Sequence, residues 1–222
     1  MEEYTNFNGE ALELVRDTNI PEAKSMLDRI LTLVNPPIAL KAKQLGGRAQ
    51  QPIIDKVRTA VKNIFGILLD ADMQPMDDSD ERHVNTLRDN VQKVRASFNL
   101  PFPKLYQDHN SILAAWVSNN FADPTVNFSP MYFDDLTALD QAVTLVHERS
   151  HTILKLPGHP GTGDSPVCII PHEGKKLGFD IAIRNAYCYE WLAISLHPNY
   201  NPSPYRDSCN ANSITGHRST AP

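Results

Sequence analysis

Residues 135–155, DLTALDQAVTLVHERSHTILK, decide the fold of this chain. Apolar and small residues recur through this stretch at the spacing of one helical face, which predicts a single long helix. Asp134 or Asp135 is the predicted N-cap, and Pro157-Gly158 is expected to end the helix. The predicted buried stripe consists of Leu139, Val143, Val146, Ser150, Ile153 and Leu154.

Residues 147–151 of the same stretch read His-Glu-Arg-Ser-His, an H-E-x-x-H motif. Residues four apart share a helical face, so the imidazoles of His147 and His151 can reach one Zn²⁺ at about 2.0–2.1 Å. Glu148 is rotated by about 100° from His147, which directs it to a metal-bound water rather than to the metal. The motif therefore predicts a zinc-dependent hydrolase with Glu148 as general base.

A catalytic zinc site needs a third protein ligand and an open fourth position. The metzincin pattern requires Gly and His where this chain has Leu154 and Pro157, so that class is excluded. Two acids remain as candidates for the third ligand. Asp164 lies on the loop after the motif, and Glu190 lies on a later predicted helix, as in thermolysin-like enzymes.

The rest of the chain predicts an α+β fold. Helical spacing and β-rich runs alternate with Pro- and Gly-rich breaks, and residues from 198 onward are rich in Pro, Ser and Asn. We expect one domain over 1–197, with a helical part (1–100), a sheet and active-site part (101–197), and a tail (198–222). The predicted helices are 21–34, 52–70, 80–98, 135–155 and 177–196, and the predicted strands are 112–118 and 125–133.

Composition excludes several classes of protein. The 222 residues carry 21 Lys and Arg against 26 Asp and Glu, a formal charge of -5, which argues against a nucleic-acid partner. No apolar run is long enough to span a bilayer, and the polar start predicts no signal peptide. Three cysteines cannot form a closed disulfide framework. We therefore expect a cytoplasmic protein, or one exported without a classical signal peptide.

Three separated segments, within roughly residues 112–195, resemble the aspzincin family, the deuterolysin and peptidyl-lysine metallopeptidase group. Residues 142–148, AVTLVHE, resemble its A-x-T-L-V-H-E, and residues 161–164, GTGD, resemble its G-T-x-D. Residues 185–193, NAYCYEWLA, are similar to its N-A-D-x-Y-E-x-F-A. The resemblance implies a zincin-like fold, with a small, mostly antiparallel sheet packed on the long motif helix. It also implies Asp164 as the third zinc ligand.

The chain departs from this family at residues with implied roles. The family Tyr that is thought to bind the oxyanion is replaced by Val167, which donates no hydrogen bond, and the loop from His151 to Asp164 is longer than usual. Lysine-specific members bind the substrate ammonium group with two acids, at positions that match Tyr187 and Glu190. These two residues are therefore the implied substrate-binding pair, with Glu190 alone favouring a basic residue. The candidate replacement oxyanion donors are Tyr189, His172, Tyr187, His159 and Arg184.

These features predict a zinc-dependent endopeptidase whose substrates are peptides or proteins. We also expect the second strand run, 125–133, to form the edge of the substrate cleft. One alternative is a zincin-like scaffold that binds a partner and cleaves weakly or not at all, which Val167 would favour. Another is a bacterial effector or toxin peptidase that is exported without a cleaved signal.

Overall fold

The computed structural model describes residues 4–34, 51–99, 105–110, 114–117, 125–156 and 178–200. Short strands combine with helices in these ranges, so the fold is α+β, as predicted. The strands are β1 (Tyr4–Thr5), β2 (Leu105–Gln107), β3 (Ala115–Val117) and β4 (Val126–Phe128). The helices are α1 (Gly9–Glu13), α2 (Ile20–Leu33), α3 (Gln51–Phe65), α4 (Asp78–Ser97), α5 (Pro130–Asp134), α6 (Ala138–Leu154), α7 (Phe179–Ala182) and α8 (Ala186–Ser195).

The helical N-terminal half agrees closely with its apolar spacing. α2, α3 and α4 coincide with the three predicted helices, although α3 ends five residues before the predicted end. Its end is followed by Gly66 at φ 70°, a left-handed conformation that glycine adopts without strain. A π-helical segment, Leu14–Asn19, joins α1 to α2 and has no predicted counterpart.

The sheet differs from the predicted one. Its strand order is β1-β2-β4-β3, with β1–β2 and β2–β4 parallel and only β3–β4 antiparallel. The prediction of a mostly antiparallel sheet is therefore wrong. The predicted runs 112–118 and 125–133 contain the antiparallel pair β3 and β4, whereas β1 and β2 have no predicted counterpart.

The predicted strand 125–133 is half strand and half helix. Pro130 lacks a backbone N–H for a strand ladder and is suited to the first turn of a helix, so β4 ends at Phe128 and α5 begins at Pro130. β4 is also paired on both sides, by β2 and β3. A strand without a free edge cannot add a substrate strand, so the expectation that 125–133 forms the cleft edge is wrong.

Helix α6 lies at the centre of the described structure and packs against α2, α4, α8 and β3. Every residue from Asp140 to His151 is buried, whereas three members of the predicted stripe, Leu139, Ile153 and Leu154, are only half-buried. The motif residues 147–151 are therefore enclosed in the core.

The ends of α6 differ in detail from the prediction. Its N-cap is Thr137, whose Oγ1 accepts a hydrogen bond from the Asp140 backbone N–H at 3.2 Å. Neither Asp134 nor Asp135 caps it, because both belong to the end of α5. The helix ends at Leu154, and Lys155 takes a left-handed conformation at φ 54°. Pro157-Gly158 lies outside the described residues.

Buried polar contacts fix the rotation of α6 near both of its ends. Asn19 donates to Oε1 of Gln141 at 2.9 Å, and Gln141 donates to the Tyr132 carbonyl at 2.9 Å. Near the other end, Arg149 donates from Nε to Ser97 Oγ at 3.0 Å and from Nη2 to the Ser97 carbonyl at 3.1 Å. Burial lowers the pKa of Arg149 to about 10. Rotation of α6 would break these contacts inside the core, where lost polar partners are costly.

The predicted last helix, 177–196, is divided into α7 and α8. Asn185 caps α8 by accepting a hydrogen bond from the Tyr187 backbone N–H at 3.0 Å. In the described ranges, every helix is too short or too polar to cross a bilayer. From residue 201 onward, the predicted tail lies outside the described residues.

The α6 cap gives a direct test of this fold. Thr137→Ala removes the capping oxygen and should lower the free energy of unfolding by about 1 kcal/mol in urea titrations. Thr137→Ser keeps a capping hydroxyl and should restore most of the loss. Asp135→Ala is the matched control and should leave stability unchanged. A larger loss for Asp135→Ala than for Thr137→Ala would contradict the observed cap.

Candidate metal centre

The two motif histidines meet inside the core. His147 and His151 are 0% and 1% exposed, and their Nε2 atoms lie 3.1 Å apart. Their ring centroids are 4.8 Å apart, with an interplanar angle of 71°. Two tetrahedral zinc ligands at about 2.0–2.1 Å stand about 3.3 Å apart, close to the observed separation. The spacing predicted from the sequence therefore brings these two side chains together.

The other ring nitrogen of each histidine faces a hydrogen-bond acceptor. Nδ1 of His147 lies 2.8 Å from Oε2 of Glu190, and Nδ1 of His151 lies 3.3 Å from the Leu156 carbonyl. A carbonyl and an ionised carboxylate both accept, so these neighbours favour the ring proton on Nδ1 in both histidines, although the 2.8 Å contact of Glu190 with His147 is a close polar contact without hydrogen-bond geometry. In the neutral rings, each Nε2 then carries a lone pair directed at the other ring.

A separation of 3.1 Å suits a hydrogen bond between the two Nε2 atoms if one ring carries its proton there. If both rings carry their protons on Nδ1, the two Nε2 lone pairs are left to bind one metal ion. Neutral imidazole bound through Nε2, with Nδ1–H donated to a carboxylate or carbonyl, is the usual state of a zinc-binding histidine. The pair and its two acceptors therefore fit a zinc ion.

Helix α8 forms the wall of the site opposite α6. Tyr187 and Glu190 are three residues apart on α8, and both contact the ring of His147. The Tyr187 ring packs edge-on to His147, with centroids 4.5 Å apart and an angle of 69°. The structure thus brings both residues of the predicted substrate-binding pair to a predicted metal ligand. Their binding of substrate stays a prediction.

The described residues contain only part of the predicted ligand set. In these ranges, no group of three or more His, Cys, Asp or Glu side chains could hold a metal ion. Glu190 contacts His147 at Nδ1, the nitrogen that does not face His151, so it does not join the two Nε2 atoms as a ligand in this arrangement. Asp164 lies outside the described residues, and its role as third ligand stays a prediction.

Glu148 follows His147 on α6 and is 2% exposed. The helix places it about 100° around the axis from His147. Its proposed proton transfer to and from a bound water is consistent with this location and stays a prediction.

Tyr189, a candidate oxyanion donor, has a buried hydroxyl with two protein partners. It donates to the Ile183 carbonyl at 2.8 Å and accepts from Asn90 at 2.8 Å. Burial raises the pKa of Tyr189 well above its usual value. Donation to an oxyanion would require this hydroxyl to change its partner. His172, the other leading candidate from the sequence, lies outside the described residues, as do His159 and Val167.

One contributor to the site was missed in the sequence. The Leu156 carbonyl holds His151, and it is brought there by the left-handed Lys155 and by the bond from the Leu156 N–H to the His151 carbonyl at 3.1 Å. A backbone acceptor has no side-chain signature. An apolar residue just after a helix end was the available signal, because such residues often fold back onto the last turn.

Comparison with known proteins adds a distant similarity. No protein-family model matches the chain, and no curated protein matches it. Among solved structures, a zinc peptidase from Grifola frondosa is similar, with a TM-score of 0.45 and 15% sequence identity over 80% of this chain and 92% of that chain. A similarity of this size does not establish a family. The site is therefore interpreted from its own geometry.

The facing imidazoles predict a stabilising metal ion. We expect the protein to bind one zinc ion per chain, and the free energy of unfolding to rise by about 2.7 kcal/mol at a free zinc concentration of 100 Kd. His151→Ala should lose this gain. His109→Ala, which removes an exposed histidine, is the control and should retain it. Equal stabilisation of His151→Ala and wild type would contradict the assigned site.

Proposed function

We propose that this protein is a zinc-dependent endopeptidase. The observation that carries the proposal is the pair of buried Nε2 atoms, 3.1 Å apart, with both Nδ1 atoms facing acceptors. The pair lies beside a glutamate, Glu148, as hydrolysis requires.

Each residue of the proposed site has one role. His147, His151 and Asp164 would hold the zinc ion as its three protein ligands. When bound, zinc supplies Lewis acidity, which lowers the pKa of its water and polarises the substrate carbonyl. Glu148 would act as the general base, accepting a proton from the attacking water and returning it to the amine nitrogen of the leaving group.

The same proposal assigns peptides or proteins as substrates. Tyr187 and Glu190 are the implied substrate-binding residues, and Tyr189 and His172 are the proposed oxyanion donors. A preference for basic residues requires Glu190 to face the substrate. For Tyr189 to act as oxyanion donor, its hydroxyl must release the Ile183 carbonyl, to which it now donates.

A second candidate function is a zinc-binding scaffold that cleaves weakly or not at all. It is favoured by Val167 at the position of the family's oxyanion Tyr. It is also favoured by the Tyr189 hydroxyl, which already donates its proton to the Ile183 carbonyl. Loss of one oxyanion donor costs about 10²–10³ in rate. An exported effector peptidase would use the same chemistry, and growth arrest that depends on Glu148 would identify it.

Glu148→Gln separates these functions. The amide cannot accept the water proton, so kcat/KM on casein or quenched peptides should fall by about 10²–10⁴ while zinc content stays at one per chain. Glu13→Gln makes the same change at an exposed position and should leave both unchanged. A chelator should abolish wild-type cleavage, and added zinc should restore it. Equal cleavage by wild type and Glu148→Gln would contradict the endopeptidase. Zinc binding without cleavage would favour the scaffold.

A further inference from the structure

The contact between α8 and His147 is closer than a substrate-binding role for α8 requires. Oε2 of Glu190 lies 2.8 Å from Nδ1 of His147, and these side chains are 1% and 0% exposed. The Tyr187 ring covers the same imidazole edge-on at 4.5 Å. One turn of α8 therefore holds one ring of the candidate metal pair.

This contact determines what His147 can do at its other nitrogen. A carboxylate at Nδ1 favours the tautomer with the proton on Nδ1, which leaves the lone pair on Nε2, the atom that faces His151. A carboxylate partner also raises the basicity of a ligating imidazole and fixes its plane. Loss of such a partner would let the ring turn or take the other tautomer, with the proton between the two rings.

The same contact bears on substrate choice. A substrate ammonium group attracted to Glu190 would compete with the Nδ1–H of His147 for Oε2. The second acid of lysine-specific relatives is replaced here by Tyr187, and that ring is packed on His147 as well. Both residues that would recognise a basic side chain therefore contact the histidine ring.

We propose that Glu190 is a positioning residue that fixes the tautomer and orientation of His147, with the Tyr187 ring as its lateral support, and that it does not select basic substrates. The part that concerns substrates rests on the proposed endopeptidase function. The part that concerns His147 is a property of this chain and can be tested without any activity.

The first test measures the His147 tautomer in the zinc-free protein by long-range ¹H–¹⁵N NMR of the histidine rings. We expect the proton on Nδ1 of His147 in wild type. Glu190→Ala should lose this single tautomer, and Glu190→Gln should keep it, because the amide oxygen still accepts the Nδ1–H. Trp191→Phe, a buried neighbour on α8, is the matched control and should keep it. A wild-type His147 with its proton on Nε2 would overturn the proposal.

The second test compares zinc affinity by competition with a chelator. Glu190→Ala should weaken zinc binding by about 10- to 100-fold, Glu190→Gln by less, and Trp191→Phe not at all. If zinc affinity fell only because the variants were less stable, the loss of affinity in Trp191→Phe and in the Glu190 variants would follow their loss of stability. Wild-type affinity in Glu190→Ala would overturn the positioning role.

The third test compares two peptides that differ only in carrying Lys or norleucine after the scissile bond. Glu190→Gln should lower kcat/KM for both by the same factor, since the amide affects the zinc site and not the side-chain pocket. A fall of about tenfold or more for the Lys peptide alone, with zinc affinity unchanged, would overturn the proposal and identify Glu190 as the substrate acid. If wild type cleaves neither peptide, the endopeptidase fails, while the tautomer and zinc affinity still decide the role of Glu190.

Discussion

The Nε2 atoms of His147 and His151 lie 3.1 Å apart in the protein core, so the two rings must share either a proton or a metal ion. Glu190 and the Leu156 carbonyl lie beside the two Nδ1 atoms and favour the ring proton there, which is the condition for a metal ion to join the rings. This condition links elements that are distant in sequence. It involves the left-handed turn after α6 and the close packing of α8 on α6.

The condition holds only if α6 cannot rotate. A shift of one residue turns a helix by about 100° and would direct both imidazoles away from α8. Gln141, three residues into α6, is held by Asn19 and Tyr132, and Arg149, inside the motif, is held by Ser97. These contacts are buried, so water cannot replace the hydrogen bonds that would be lost if the helix rotated. The packing of the core thus fixes the rotation of α6 about its axis, and with it the direction of both imidazoles.

Much of this arrangement could be predicted from the sequence, because its signals are local. Helical spacing predicts α6 and places His147 and His151 on one face, and the same spacing predicts α2, α3 and α4. Strand direction was not predictable, since β1 and β2 have two and three residues and pair in parallel with distant partners. The contact of Glu190 with His147 was also missed. The sequence shows an acid on a helix but not which neighbouring element that helix will meet.

The central claim is that the two facing imidazoles bind one metal ion. X-ray absorption at the zinc edge of the purified, zinc-loaded protein tests it most directly, because imidazole gives a distinct multiple-scattering pattern and sulfur a longer bond than nitrogen. We expect two imidazoles per zinc, with ligating nitrogen and oxygen atoms at about 2.0–2.1 Å. A zinc ion with no imidazole, or one bound by sulfur at about 2.3 Å, would contradict it.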